Sequence, residues 1–241
     1  MAQPASRIDS TVLDPSAAGE LVFWLDVDNT LLDNDRFSAD LGERLERCFG
    51  AVQRARYWQI FNDRRAELGL ADYLGSLQLF RAGLDDDPQL LGMSEFLLEY
   101  PFAERVYPGA LAAIDHLNAF GRPVVLSDGD IVFQPRKIQR AGIWAAVAGR
   151  VLIYPHKERA IEAVKQRFPA THYVMVDDKP NLLAAVKSIL GSQLTTIFVR
   201  QGHYAQSPES NSLRPPPDQV IEHIAELAQL NLADFLHSSD T

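Results

Sequence analysis

The run Leu21–Leu25 (LVFWL) and the turn after it constrain this chain more than any other stretch. Five consecutive apolar residues with no polar alternation read as a strand buried on both faces of a sheet. Strands of that kind build parallel α/β sheets, and ligands of such sheets bind at the C-terminal ends of the strands. Here that end carries Asp26, Asp28, Asn29 and Thr30 before the chain turns apolar again at Leu31 and Leu32.

Four more apolar runs have the same character: Pro123–Leu126, Val151–Tyr154, Tyr173–Val176 and Thr196–Val199. Helical patterns separate most of them. Pro108 opens one that carries Leu111, Ile114 and Leu117 and stops at Gly121; Ile161, Val164 and Phe168 follow Lys157; Leu182, Val186 and Ile189 lie between Pro180 and Gly191. This alternation predicts an α/β fold with a doubly wound parallel sheet. The exception runs from about Asp35 to Arg105, where no strand is legible and helical patterns recur. Leu41, Leu45, Cys48 and Phe49 share a face, Tyr57, Phe61 and Arg64 follow, Asp72 is placed to cap a helix with Leu74, Leu77 and Phe80, and Pro88 to start another ending near Leu98. The expected organisation is an N-terminal tail over 1–19, an α/β core over 20–34 and 106–235, an all-helical insertion of about four helices over 35–105, and a tail over 236–241. A polar, Pro-rich loop covers 205–218, and a last helix is expected to use Val220, Ile221, Ile224 and Leu227.

Composition narrows the function. With 46% apolar and 23% charged residues the chain reads as an ordinary soluble globular protein. A net charge of −9 argues against a nucleic-acid surface. Cys48 stands alone, which excludes an intrachain disulfide and suits a cytoplasmic location. No apolar stretch approaches the roughly 18–20 residues of a membrane span. The first twenty residues lack a basic region followed by an apolar run, so they read as a tail, not a secretion signal.

Each strand end delivers a reactive side chain. A carboxylate such as Asp26 can attack phosphorus, and a second one two residues on can move protons. Ser127 and Asp128 end the second run, and a hydroxyl with neighbouring N–H groups can hold a phosphoryl oxygen. Lys157 follows the third run, where an ammonium would stabilise developing negative charge. Lys137, within the preceding helical pattern, is the reserve for that task. Asp177 and Asp178 follow the fourth run; adjacent carboxylates repel unless a metal or protons intervene, and Mg²⁺ favours such oxygen donors. Arg200 and His203 follow the last run and read as surface loop at the rim, and Arg54, Arg56, Arg64 and Arg65 read as a solvated face of the insertion.

In order and spacing these four segments resemble the four motifs of the haloacid dehalogenase-like superfamily, over roughly residues 20–200. The helical insertion looks like that family's C1-type cap, as in phosphoglycolate phosphatase-like and β-phosphoglucomutase-like members. The resemblance implies a Rossmann-like core and a Mg²⁺-dependent phosphomonoesterase acting on a small phosphorylated metabolite through an aspartyl-phosphate. It makes Asp26 the nucleophile and Asp28 the general acid and base. Asn29, Thr30, Ser127, Asp128 and Lys157 would surround the phosphate. Asp26, the Asp28 carbonyl and Asp178 would ligate Mg²⁺, with Asp177 direct or through water. A phosphoglucomutase-like phosphotransferase shares every motif. Dehalogenase members usually lack the second aspartate, so Asp28 argues against halide displacement. No lysine precedes Lys137, which removes the insertion lysine that phosphonoacetaldehyde hydrolase-type chemistry needs. A non-enzymatic receiver-type phospho-acceptor would place its acidic pair first and its acceptor later, the reverse of the order here.

Overall fold

The computed structural model describes residues 21–206 and 215–230. Both expected tails, and 207–214 of the Pro-rich loop, lie outside them. Six strands form one sheet: β1 Leu21–Leu25, β2 Arg122–Asp128, β3 Val151–Tyr154, β4 His172–Asp177, β5 Leu194–Val199 and β6 Gln219–Ile221. The order is β3-β2-β1-β4-β5-β6, and every neighbouring pair is parallel. β1 therefore lies between β2 and β4, with Leu25 opposite both Val125 and Val176. The chain's direction of strand addition reverses at β1, which makes its C-terminal end a switch point where a crevice opens.

Helices cover both faces of the sheet. After β1 come α1 Asn34–Leu68, α2 Tyr73–Phe80 and α3 Gln89–Glu99; α4 Ala110–Asn118 leads to β2; α5 Phe133–Arg140 and α6 Ile143–Ala146 lead to β3; α7 Ile161–Arg167 and α8 Pro180–Leu190 flank β4. Successive strand residues point to opposite faces, so β1 feeds two separate cores. Leu21, Phe23 and Leu25 belong to one continuous apolar core that also takes in α1–α5, while Val22 and Trp24 belong to a second with α7 and α8. Both sides of β1 are thus dry, which is why the run shows no polar alternation.

The insertion consists of α1, α2 and α3, but Gly50 breaks α1 with a non-helical backbone (φ 83°, ψ 167°), so four rods result. Asp72 caps α2 by accepting from the Gly75 N–H at 2.7 Å, and α3 begins just after Pro88. Where the chain leaves the core and returns, the two passages pair: Asp33 N–H donates to the Arg105 carbonyl at 2.7 Å, and Tyr107 N–H to that of Leu31 at 3.0 Å. Gly121 does more than stop α4, because a Cβ there would meet the Leu21 carbonyl oxygen at 2.3 Å; the bare backbone lets the chain enter β2 beside β1. Among the described residues no helix is long and apolar enough to cross a membrane.

Ser127 and Asp128 end the second strand, as expected, and pair with Ile153 and Tyr154. One expectation needs correction. The last helix does not form as drawn. Val220 and Ile221 belong to β6, and only Ile224–Gln229 coils, as a 3-10 turn. The cause is Asp218. Its carboxylate accepts from the Thr196 N–H (2.8 Å), the Thr196 hydroxyl (2.9 Å) and Lys187 Nζ (2.8 Å), tying the segment to β5 and α8 before it can coil.

Although partial burial opposes it, these donors hold the Asp218 carboxyl below its ordinary pKa. A lowered carboxyl contributes stability above the unfolded-state pKa and loses it as pH falls through the folded value. Asp218→Asn should therefore cost about 1 kcal/mol at pH 7, since the group is part-exposed, and the difference should narrow as pH falls below about 4. Urea denaturation of both proteins at pH 7 and 3.5 measures this; an equal loss at both would refute it.

Candidate active site

At the end of β1 the backbone curls around one carbonyl. The Val27 oxygen accepts from the N–H groups of Thr30, Leu31 and Leu32. Val27 is buried below the turn, and Asp26 and Asp28 flank it. Asn29 adopts a left-handed backbone (φ 62°), which asparagine tolerates. Its side-chain oxygen accepts from the N–H groups of Asn34 and Asp35, and its amide donates to the Asp35 carboxylate. The Asn29 side chain is thus committed to the first turn of α1. The Thr30 hydroxyl donates to Asp26 Oδ2 at 3.4 Å.

Lys157 reaches this turn from the segment after β3. It is fully buried and donates to Asp26 Oδ1 (2.5 Å), Asp177 Oδ2 (2.6 Å) and the Leu126 carbonyl (3.3 Å). Burial alone would favour the neutral amine, but Asp177 and Asp26 outweigh it and raise the lysine's pKa. Lys157 is therefore an ammonium at any ordinary pH. Its backbone N–H also donates to Asp128 Oδ1 at 2.8 Å. Asp128 lies 3.8 Å from Lys179 Nζ, and burial raises its pKa.

Asp26, Asp177 and Asp178 are all buried and can bring one carboxylate oxygen each within 4.8 Å of the others. Their roles in the cluster differ. Both Asp177 oxygens are occupied, Oδ2 by Lys157 and Oδ1 by the Lys179 N–H at 2.8 Å. Among the described residues neither Asp178 oxygen has a hydrogen-bond partner. Burial, then Asp177 and Asp26, push its pKa up to about 9. A buried carboxylate with no donor is costly. Three converging carboxylates and an all-oxygen donor set fit a hard divalent cation.

Ser127 is buried, accepts from Gln134 Nε2 at 2.9 Å and donates to the Asp128 carbonyl at 3.2 Å. Lys137, the reserve for phosphate binding, is elsewhere engaged: its Nζ pairs with Asp28 Oδ1 at 2.8 Å. A cavity of about 140 Å³ opens between the strand ends and the insertion, lined among others by Asp28, Asn29, Asp128, Lys179 and Tyr73. A larger hollow of about 480 Å³ lies on the insertion around Arg81 and Leu91 and holds none of these groups.

Of the weaker candidates, His203 and Arg65 line the cavity. His203 Nδ1 lies 2.7 Å from Asp35 Oδ1, and Arg65 donates to the Tyr204 hydroxyl at 2.5 Å. Arg54 pairs with Glu46, Arg64 with Asp72 and Arg200 with Glu222, and Arg56 donates to the Ala82 carbonyl. Sequence reasoning missed Lys179, Gln134 and Tyr204. Lys179 was within reach, being one of five lysines and directly after the acidic pair. Gln134 and Tyr204 carry no sequence signal of their own.

A family model described as haloacid dehalogenase-like hydrolase matches residues 22–189. A haloacid dehalogenase-like hydrolase of Burkholderia xenovorans is 55% identical, with 90% of this chain and 98% of that one covered and a TM-score of 0.83. Two other solved structures share the fold. L-2-haloacid dehalogenase of Xanthobacter autotrophicus is 19% identical over 89% of this chain and 98% of its own (TM-score 0.54). A HAD-hydrolase of Bacillus subtilis bound to magnesium is 16% identical over 87% and 97% (TM-score 0.57). No curated protein matches.

Lys157→Met should cost about 3–5 kcal/mol, because Asp26 and Asp177 lose their shared counter-ion inside the protein. Adding Asp177→Asn should recover part of that loss. Chemical denaturation of the two variants measures both steps, and simple additivity of the two substitutions would disprove the shared pair.

Proposed function

The chain belongs to the haloacid dehalogenase-like hydrolases, and from that premise we propose that it is a Mg²⁺-dependent phosphomonoesterase of small metabolites working through an aspartyl-phosphate on Asp26. One observation carries the reading: Asp178 is buried beside Asp26 and Asp177 with both oxygens unpartnered. Displacing halide from carbon calls for an attacking carboxylate and a halide cradle, and leaves that third carboxylate without a purpose. A phosphoryl group brings its own negative charge, so cation and cluster serve each other.

Asp26 attacks phosphorus and the ester P–O bond breaks, with Asp28 giving its proton to the leaving oxygen. Asp28 then takes a proton from the water that attacks the acyl-phosphate, restoring Asp26. Lys157, locked as an ammonium against Asp26, offsets charge on the transferring group. Asp26, the Asp28 carbonyl and Asp178 would hold Mg²⁺, with Asp177 occupied in orienting Lys157. When bound, the ion would neutralise phosphoryl charge and align it for in-line attack. The cavity between strand ends and insertion suits a small substrate, and the net charge of −9 weighs against a nucleic-acid polymer. The insertion over 35–105 acts as a cap in this reading, joined to the core by the paired passages at Asp33 and Arg105. A phosphotransferase would use the same groups and differ in the lifetime of the phospho-enzyme. The single, half-buried Cys48 suits the reducing cytoplasm.

Phosphate release from a panel of phosphorylated metabolites should require Mg²⁺ and vanish with chelator. Asp26→Asn should abolish it, and Asp28→Asn should slow it by about 10²–10⁴-fold. Mg²⁺ should raise the melting temperature of the wild type and leave that of Asp178→Ala unchanged. Chelator-resistant halide release from 2-haloacids, without phosphate release, would overturn the proposal.

A further inference from the structure

One buried cation has no part in the chemistry above. Lys137 projects from α5 and is fully buried. Its Nζ donates to Asp28 Oδ1 at 2.8 Å and to the Asn34 side-chain oxygen at 2.9 Å. Four aromatic rings surround it, with centroids at 5.6 Å (Phe133), 5.7 Å (Phe37 and Tyr73) and 5.8 Å (Phe102). An ammonium withdrawn from water is unfavourable unless it is paired and hydrogen-bonded. Here a carboxylate, an amide oxygen and the negative faces of the rings compensate it.

The rings come from both sides of one seam. Phe133 belongs to α5 of the core, Phe37 and Tyr73 to α1 and α2 of the insertion, and Phe102 to the return passage. Asn34 is the first residue of α1. The second Asp28 oxygen accepts from Gln134 Nε2 at 3.3 Å, one turn before Lys137 on the same helix, and that amide nitrogen also donates to Ser127. Asp28 is one-quarter exposed, toward the cavity, yet each of its oxygens is held by α5. A free aspartate side chain samples several rotamers; this one is left with a single orientation. For a proton-transfer group, reach and direction come before everything else.

We propose that Lys137 is a positioning residue that fixes the Asp28 carboxylate in its working orientation and, through Asn34, makes that orientation depend on α1 being seated. The inference rests on Asp28 acting as general acid and base. Lys137 has no exposed surface, so it cannot touch substrate and acts only through Asp28. A purely structural lysine would stabilise the same seam without steering proton transfer, and kinetics separates the two.

Lys137→Met fills the aromatic pocket while removing the charge. It should lower kcat for an alkyl phosphate, whose leaving oxygen needs a proton, by about 10²-fold at unchanged KM. For p-nitrophenyl phosphate, whose leaving group departs as an anion, the loss should be nearer tenfold, because only the water step then depends on Asp28. The Mg²⁺-induced rise in melting temperature should persist, showing that the acidic cluster is intact. In an Asp28→Asn background the same substitution should change kcat by less than about threefold, because it has nothing left to orient. If Lys137→Met does not fold, Lys137→Gln carries the same comparison. Unchanged kcat, a loss confined to KM, or an equal loss with Asp28→Asn would overturn the inference. A wild type without Mg²⁺-dependent phosphatase activity would fail the functional reading first, and the inference with it.

Discussion

The arrangement depends on one buried ammonium. Lys157 enters from the segment after β3, crosses the end of β2 by donating to the Leu126 carbonyl, and ends between Asp26 of β1's turn and Asp177 of β4. It therefore ties β1, β2 and β4 to the segment after β3 with one side chain. Without that charge the order β2-β1-β4 would bring Asp26 and Asp177 together at a dry edge with only mutual repulsion between them. Ion pairs of this kind contribute little net stability against an apolar alternative. What this one contributes is a fixed place for the Asp26 carboxylate at the end of β1.

The two aspartates of the first turn show how finely the surroundings divide the labour. Asp26 and Asp28 are two residues apart, yet each has its own buried lysine from a different crossover: Lys157 for one, Lys137 for the other. The turn around the Val27 carbonyl separates the carboxylates, and the lysines tie them to different surroundings. One faces the acidic cluster, the other the seam with the insertion. Asp178 stands outside both pairs, and among the described residues neither of its oxygens has a hydrogen-bond partner.

The legibility of these features follows the physics that produces them. Five strands were readable because each carries an apolar run, buried in β1, β2, β4 and β5 and half-buried at the β3 edge. β6 was not, because three residues at a sheet edge need none, and Val220, Ile221, Ile224 and Leu227 match helical spacing as well. That strand exists through Asp218 and Thr196, a contact between residues 22 apart that no local pattern encodes. The four helical rods of the insertion were legible down to the Asp72 cap. Asp26, Asp28, Asp177, Asp178 and Lys157 stood out because they sit at or within three residues of strand ends. Lys137 read as a reserve phosphate ligand because its partners Asn34, Phe37 and Tyr73 come from another part of the chain. Asn29 read as a phosphate contact, while the fold commits its side chain to the first turn of α1.

The paired passages beside the site have a further consequence. Leu32 and Val106 form an antiparallel bridge, and the hydrogen bonds Asp33–Arg105 and Tyr107–Leu31 continue it on either side. To the core, some seventy residues of insertion are therefore a loop whose ends already touch. Closing a loop costs entropy that grows only with the logarithm of its length, so lengthening or shortening the insertion between these two points changes the cost of closing it very little. Sequence drift in this chain can thus remodel the roof over the cavity while Asp26, Asp177 and Lys157 stay where the sheet holds them; Asp28 and Lys137, tied to Asn34 of α1, are the pair that would feel it.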